Sequence, residues 1–144
     1  MTISAYLVEV ERRTIRIVTI DRANSLADIR QHIGCGLIDM VRIDRSHSVV
    51  VDDNGLTDTL SCFTELEDYA SPLAGNLLIV GTDAMGETVS PHRSIEDIAG
   101  LLTIRYPVFS PVFEAFSGPN VFGSRVKGFE IRVESRKPEI IASA

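Results

Sequence analysis

The run Leu77-Leu78-Ile79-Val80, bounded by Gly75 and Gly81, constrains the fold more than any other feature of the chain. A strand with one wet face alternates apolar and polar residues. An unbroken apolar run of strand length therefore belongs to a central strand covered on both faces. Two β-branched segments, Ile3 to Val10 and Thr14 to Ile20, are separated only by Glu11-Arg12-Arg13 and read as a hairpin. Leu37 to Asp44 alternates, and Val49-Val50-Val51 is a further short strand running into Asp52-Asp53-Asn54-Gly55, where Asn-Gly marks a tight turn. Thr88 to Ser90 pairs back briefly across a turn at Met85-Gly86, and Val126 to Val133 has the alternation of a half-buried strand.

Two helices are expected. In Ser25 to Ile33, the residues Leu26, Ile29 and Ile33 share a face, Ser25 sits at the N-cap position, and Gly34 and Gly36 end the helix. The second runs from Ser94 to about Leu102, with Ile95, Ile98 and Leu102 at the same spacing. Their openings resemble one another, but the flanks do not match, so they are two similar helix starts and not a duplication. Cys62 to Tyr69 reads as either a helix or a loop. Beyond Tyr106, the prolines Pro107, Pro111 and Pro119 argue against a regular central strand or helix. The expected fold is α+β: one mixed, mostly antiparallel sheet of about five or six strands, with two helices on one face. The domain spans 1–137, and 138–144 is a loose C-terminal tail.

Composition narrows the function classes. A chain of 144 residues with 44% hydrophobic content can bury one core without staples. The formal net charge is -6, with 14 basic residues scattered among 20 acidic ones. Counterion release from phosphates needs clustered Lys and Arg, so no non-specific nucleic-acid binding is expected. Met1 to Val10 carries no basic leader, and no apolar run approaches the ~20 residues of a membrane helix, so no membrane partner is expected and the address is cytoplasmic.

Chemistry-bearing residues are sparse. His32, Cys35, His47 and Cys62 are the donor types of a zinc site, but only His32 and Cys35 are closely spaced, so no metal is expected. Cys35 follows a helix, where the negative end of the dipole disfavours a thiolate, and no catalytic group is assigned to it with His32, His47 or His92. Asp52, Asp53 and Asp58 invite a calcium loop, yet Val50 and Ser61 would occupy its first and last ligand positions. No cofactor is expected. Candidate anion-binding residues are Arg22 with Ser25 and Arg93 with Ser94, at the two helix starts. Five of the six phenylalanines fall between Phe109 and Phe129. They either pack over the sheet end as core or form an exposed interface, for which Phe109, Phe113, Phe116 and Phe122 are the candidates.

The helix Leu26 to Gly36 leading into Leu37-Ile38-Asp39-Met40-Val41, the strand and turn Val49 to Gly55, and Ala74-Gly75-Asn76 before Leu77 to Gly81 also carry a resemblance. From Thr14 to about Ser90 the chain resembles a family of short proteins of bacteriophages, plasmids and conjugative elements. That resemblance implies a bacterial mobile-element setting and transfers no active-site residues. The expectation is a non-enzymatic binding or interaction module that is homodimeric through Phe109 to Val133 and modulates an unidentified host protein. The alternative is a small-molecule binder for a nucleotide-like anion.

Overall fold

A computed structural model describes residues 1–34, 36–52, 62–119 and 121–142. The elements run β1 (Thr2–Glu9), β2 (Thr14–Asp21), α1 (Ser25–Ile33), β3 (Ile38–Arg42), β4 (His47–Asp52), β5 (Phe63–Leu66), β6 (Leu73–Ala74), β7 (Leu77–Thr82), β8 (Thr88–Val89), α2 (Ile95–Leu101), β9 (Leu102–Gly118), β10 (Val121–Arg136) and β11 (Glu139–Ile140). The Asn54-Gly55 turn and Cys35 lie outside the described residues.

The apolar run Leu77 to Val80 forms the heart of β7, which pairs with β1 on one side and β4 on the other. The main sheet has the order β11-β2-β1-β7-β4-β3, with β8 also on β7, making seven strands. Its pairings are antiparallel except β11 with β2. One sheet was expected, but there are two. Cys62 to Tyr69, read as helix or loop, holds β5, which pairs with β6 and with the root of β9 in a four-stranded sheet ordered β10-β9-β5-β6.

The helices also depart from expectation, because they cover opposite faces of the main sheet. Ile3, Ala5, Leu7, Val50, Leu78 and Val80 pack with Ile29 and Ile33 of α1. On the other side, Tyr6, Val8, Val49, Leu77 and Ile79 pack with Ile95 and Ile98 of α2 and with Leu66, Leu102 and Ile104 of the second sheet. Successive strand residues point to opposite faces, so a continuous apolar run needs cover on both sides. One layer of helices could not supply it. Burying these two faces supplies most of the drive to fold, at about 25 cal/mol per Å².

The expected caps are partly realised. Gly34 adopts φ 84 and closes α1, its N–H reaching the Arg30 carbonyl at 2.8 Å. Ser94 caps α2, its hydroxyl accepting from the Asp97 N–H at 3.1 Å. Ser25 is not a cap but the first helical residue, and a 3-10 turn over Arg22–Asn24 precedes it.

The C-terminal segment is not loose throughout. Pro138 is buried, and Glu139–Ile140 adds a parallel strand to β2, with the Glu139 N–H on the Arg13 carbonyl at 2.9 Å. The hairpin turn that offers this carbonyl also sets the Arg13 guanidinium 3.7 Å above the Tyr106 ring.

Gly81 marks a close approach of β7 to the chain leaving β8. A Cβ there would lie 2.6 Å from the Ser90 carbonyl oxygen. That oxygen belongs to backbone, which cannot rotate away. Gly81→Ala is therefore expected to cost about 2 kcal/mol by urea denaturation. A change within about 0.5 kcal/mol would show that the strand pair is free to separate.

Candidate functional site

The largest surprise is the segment punctuated by prolines. Pro107 and Pro111, expected to interrupt regular structure, sit inside the 17-residue strand β9, which pairs along its length with β10. Proline is tolerated because it lacks only an N–H, and a ladder strand uses that donor on one side per residue. The two prolines are four residues apart and so share one edge. Beyond Arg105 that edge has no strand beside it among the described residues, since β5 pairs only from Leu102 to Arg105. The missing donors therefore cost no pairing.

The hairpin leaves the body as a two-stranded arm, and the polarity of its faces reverses as it does so. At its root Leu102 and Ile104 point into the core and are buried. Further out the same inward face carries Glu114 opposite Arg125, Ser110 opposite Glu130 and Val108 opposite Arg132. The outer face, which on an ordinary sheet would be the polar one, pairs Phe109 with Ile131, Pro111 with Phe129, Phe113 with Val126 and Pro107 with Val133. Phe109, Phe113, Val126, Phe129, Ile131 and Val133 are each 50–66% exposed. From Pro107 to Ser117 and across to Val133 the paired positions of that face hold no charged residue, Lys127 standing in the bulge between Val126 and Gly128. The arm thus turns an exposed apolar row away from the protein's own core.

The register sorts the interface candidates. Phe109 and Phe113 lie on this face, as does Phe122, which is opposite Ser117 near the tip. Phe116 lies on the other face, where its ring covers Gly123; a Cβ there would be 3.2 Å from the ring. Sequence reasoning gave the surface as Phe109 to Val133 but did not single out Phe129, Ile131, Val133 and Val126 within it. Their alternation with Glu130 and Arg132 was the available signal, but it reads equally well as a half-buried strand.

The anion-site candidates are placed apart. Arg22 and Ser25 border a cleft of about 350 Å³ with Gly86, Glu87 and Thr88. The Arg22 guanidinium is taken by the Glu87 carboxylate. At the same end, carboxylates already accept local backbone N–H groups, Asp28 from Asp21 at 2.8 Å and Asp21 from Ala23 at 3.0 Å. Arg93 is paired with Asp44 at 3.4 Å and faces Asp97 at 4.0 Å, while Ser94 is spent on its cap. Since α1 and α2 cover opposite faces of the main sheet, the two pairs form no joint site.

His47 has the look of a catalytic base. It is buried, and its Nδ1 lies 2.9 Å from Asp44 Oδ1. Its Nε2, however, accepts the backbone N–H groups of His92 at 2.9 Å and Arg93 at 3.1 Å. These partners assign a neutral ring protonated on Nδ1 whose only free lone pair is already used. The ring therefore works as a clasp holding the segment before α2 against β4. Tyr6 helps, donating its hydroxyl to the Arg93 carbonyl at 2.7 Å. Burial and then the charge of Glu96 push its pKa up, so it remains a donor. Burial also works against ionisation of Asp44, but hydrogen bonds from His47, Ser46 and Arg93 outweigh it and hold that carboxyl below its ordinary value.

The zinc candidates are separated too. His32 rides on α1 and approaches the Thr19 carbonyl at 3.3 Å, while Cys62 packs in the core on the opposite side of the sheet. Asp53, Asp58 and Cys35 lie outside the described residues. Among the described residues no group of three or more His, Cys, Asp or Glu is placed to hold a metal ion. No helix among them is long and apolar enough to cross a membrane.

Fold and surface together define a small α+β domain bearing an amphipathic β-arm. The chain belongs to the family of a domain of unknown function, DUF3846, whose profile matches residues 1–103. The match extends beyond the Thr14–Ser90 stretch that carried the resemblance, taking in β1 and α2. It is similar to an uncharacterized protein y4iR of Sinorhizobium fredii, 33% identical over 141 residues, covering 95% of this chain and 88% of the relative. It is also similar to the protein PsiB of Rhizobium leguminosarum bv. phaseoli, 31% identical over 134 residues, covering 90% of this chain and 99% of that one. The arm lies almost wholly past the family profile, but alignments of this coverage cannot leave out the whole stretch from 102 to 136, so both relatives extend into it. No solved structure gives a significant match.

Proposed function

We propose that this domain is a non-enzymatic protein-interaction module whose docking surface is the apolar outer face of the β9–β10 arm. The observation that carries the reading is the reversal of polarity beyond the body, which leaves Phe109, Phe113, Phe129 and Ile131 exposed in one row. Their exposure gives no benefit to an isolated monomer, whereas covering them recovers hydrophobic free energy in proportion to the area. A nucleotide-like ligand is the weaker reading, because Arg22 and Arg93 are already matched by Glu87, Asp44 and Asp97. The resemblance to proteins of mobile elements and the two rhizobial relatives support a bacterial setting, in which the module acts on a host system by binding and not by catalysis.

Photo-crosslinking in a rhizobial cell tests this. A benzoylphenylalanine in place of Phe113 or Ile131 is expected to give covalent adducts with protein, and one in place of Glu114, on the opposite face, is expected to give few. No adducts at 113 and 131, or equal adducts at 114, would remove the outer face as the docking surface.

A further inference from the structure

We infer that what covers the outer face of the arm is the same face of a second copy of this chain. This rests on the interaction reading and names its partner. The first argument is area. Aromatic side chains each contribute on the order of 200 Å², so the three phenylalanines, Ile131, Val126 and Val133 at their observed exposure offer roughly 600 Å² of apolar surface. A standard interface takes about 800 Å² from each partner, so these side chains with the prolines and Phe122 around them approach one complete half.

The second argument is complementarity. A face whose paired positions carry no charge, with only Lys127 in the bulge beside it, has little electrostatic means to choose a charged partner, and homodimer interfaces are the more apolar kind. Among the described residues, exposed Phe116 and Val121 lie on the inner face of the arm near its tip, and others are set on different elements, such as Ile17 on β2, Leu26 on α1, Met40 on β3 and Met85 in the turn before β8. The arm is the place where this molecule presents a continuous apolar row, so its best match on the molecule is itself. A twofold axis meets the requirement that each patch contacts its own equivalent, with two ribbons stacked face to face as sheets in a sandwich stack.

The third argument is the edges. Exposed ribbons associate edge to edge unless something prevents it. Here Pro107 and Pro111 remove donors from the free edge of β9, and a bulge between Val126 and Gly128 interrupts β10. With the edges blunted and the outer face bare, association is directed to the face. The ionic pairs Glu114–Arg125 and Arg132–Glu134 keep the inner face wet and outside the contact.

Sedimentation velocity on the purified full chain, from micromolar concentration upward, tests the inference. The wild type is expected at twice 15.8 kDa. Phe113→Asp and Phe129→Asp, on different strands of the same face, are expected at a single chain mass, with association weakened by about 100-fold or more. Glu130→Gln, on the inner face, should stay a dimer. Circular dichroism of both aspartate variants should match the wild type, since neither side chain enters the core, and their melting should match that of wild type diluted to the single chain. A single-chain wild type at every concentration overturns the second copy, as does a dimer that survives both aspartates or is lost with Glu130→Gln. A single chain that pellets with phosphatidylglycerol vesicles overturns it in favour of a lipid surface. In the single-chain cases the crosslinks at 113 would still decide the interaction reading separately.

Discussion

Leu78→Ala and Ile79→Ala are each expected to lower the free energy of unfolding by about 3 kcal/mol, although the two side chains point in opposite directions. Both are fully buried, Leu78 beneath α1 and Ile79 beneath α2 and the second sheet. Removing three carbons from either leaves a cavity that the β-ladder on both sides of β7 prevents from collapsing. For a domain of this size the melting temperature should fall by roughly 10 °C in each case. The pair is informative because a two-layer sheet would make one of the substitutions mild. A loss below about 1 kcal/mol at either position would contradict the three-layer arrangement.

His47→Leu is expected to cost about 3 kcal/mol, although leucine suits a buried site. The substitution strands the N–H groups of His92 and Arg93 and removes the Nδ1 donor from Asp44, so the penalty is that of desolvated groups left unpaired. Its acid dependence follows from Asp44. A carboxyl held below its ordinary value in the fold stabilises the protein at pH above the unfolded value, and that contribution is lost as pH falls through the folded one. The wild type should therefore lose this part of its stability below about pH 4. Asp44→Asn should flatten that limb, modestly because the side chain is 38% exposed. Urea melts at neutral and acid pH measure both effects. An unchanged midpoint for His47→Leu would mean that the clasp carries no stability.

Several features were legible because they depend on neighbours in sequence. Leu77 to Val80 announces a doubly covered strand, Gly34 ends α1 through its left-handed φ, and Ser94 caps α2 with its own hydroxyl. The same run already implied cover on both faces, so placing both helices on one face left half of that demand unmet. The prolines were weighed against a central strand, which β9 is not beyond Arg105, but not against an arm with a free edge. The candidate surface was legible only as a density of phenylalanine, because sequence density does not tell which face a residue takes.

Local chemistry therefore determined the central strand, the Gly34 end of α1, the Ser94 start of α2 and the first hairpin. Register and long-range packing decided the rest. The bulge at Val126/Gly128 shows why: simple alternation would put Val126 on the face of Glu130, and one extra residue carries it across to join Phe129 and Ile131. Likewise His47 meets the N–H of His92 only because β4 and the segment before α2 converge, 45 residues apart along the chain. Side-chain period is a property of one strand, whereas the face that ends up bare is a property of what the other strands leave uncovered.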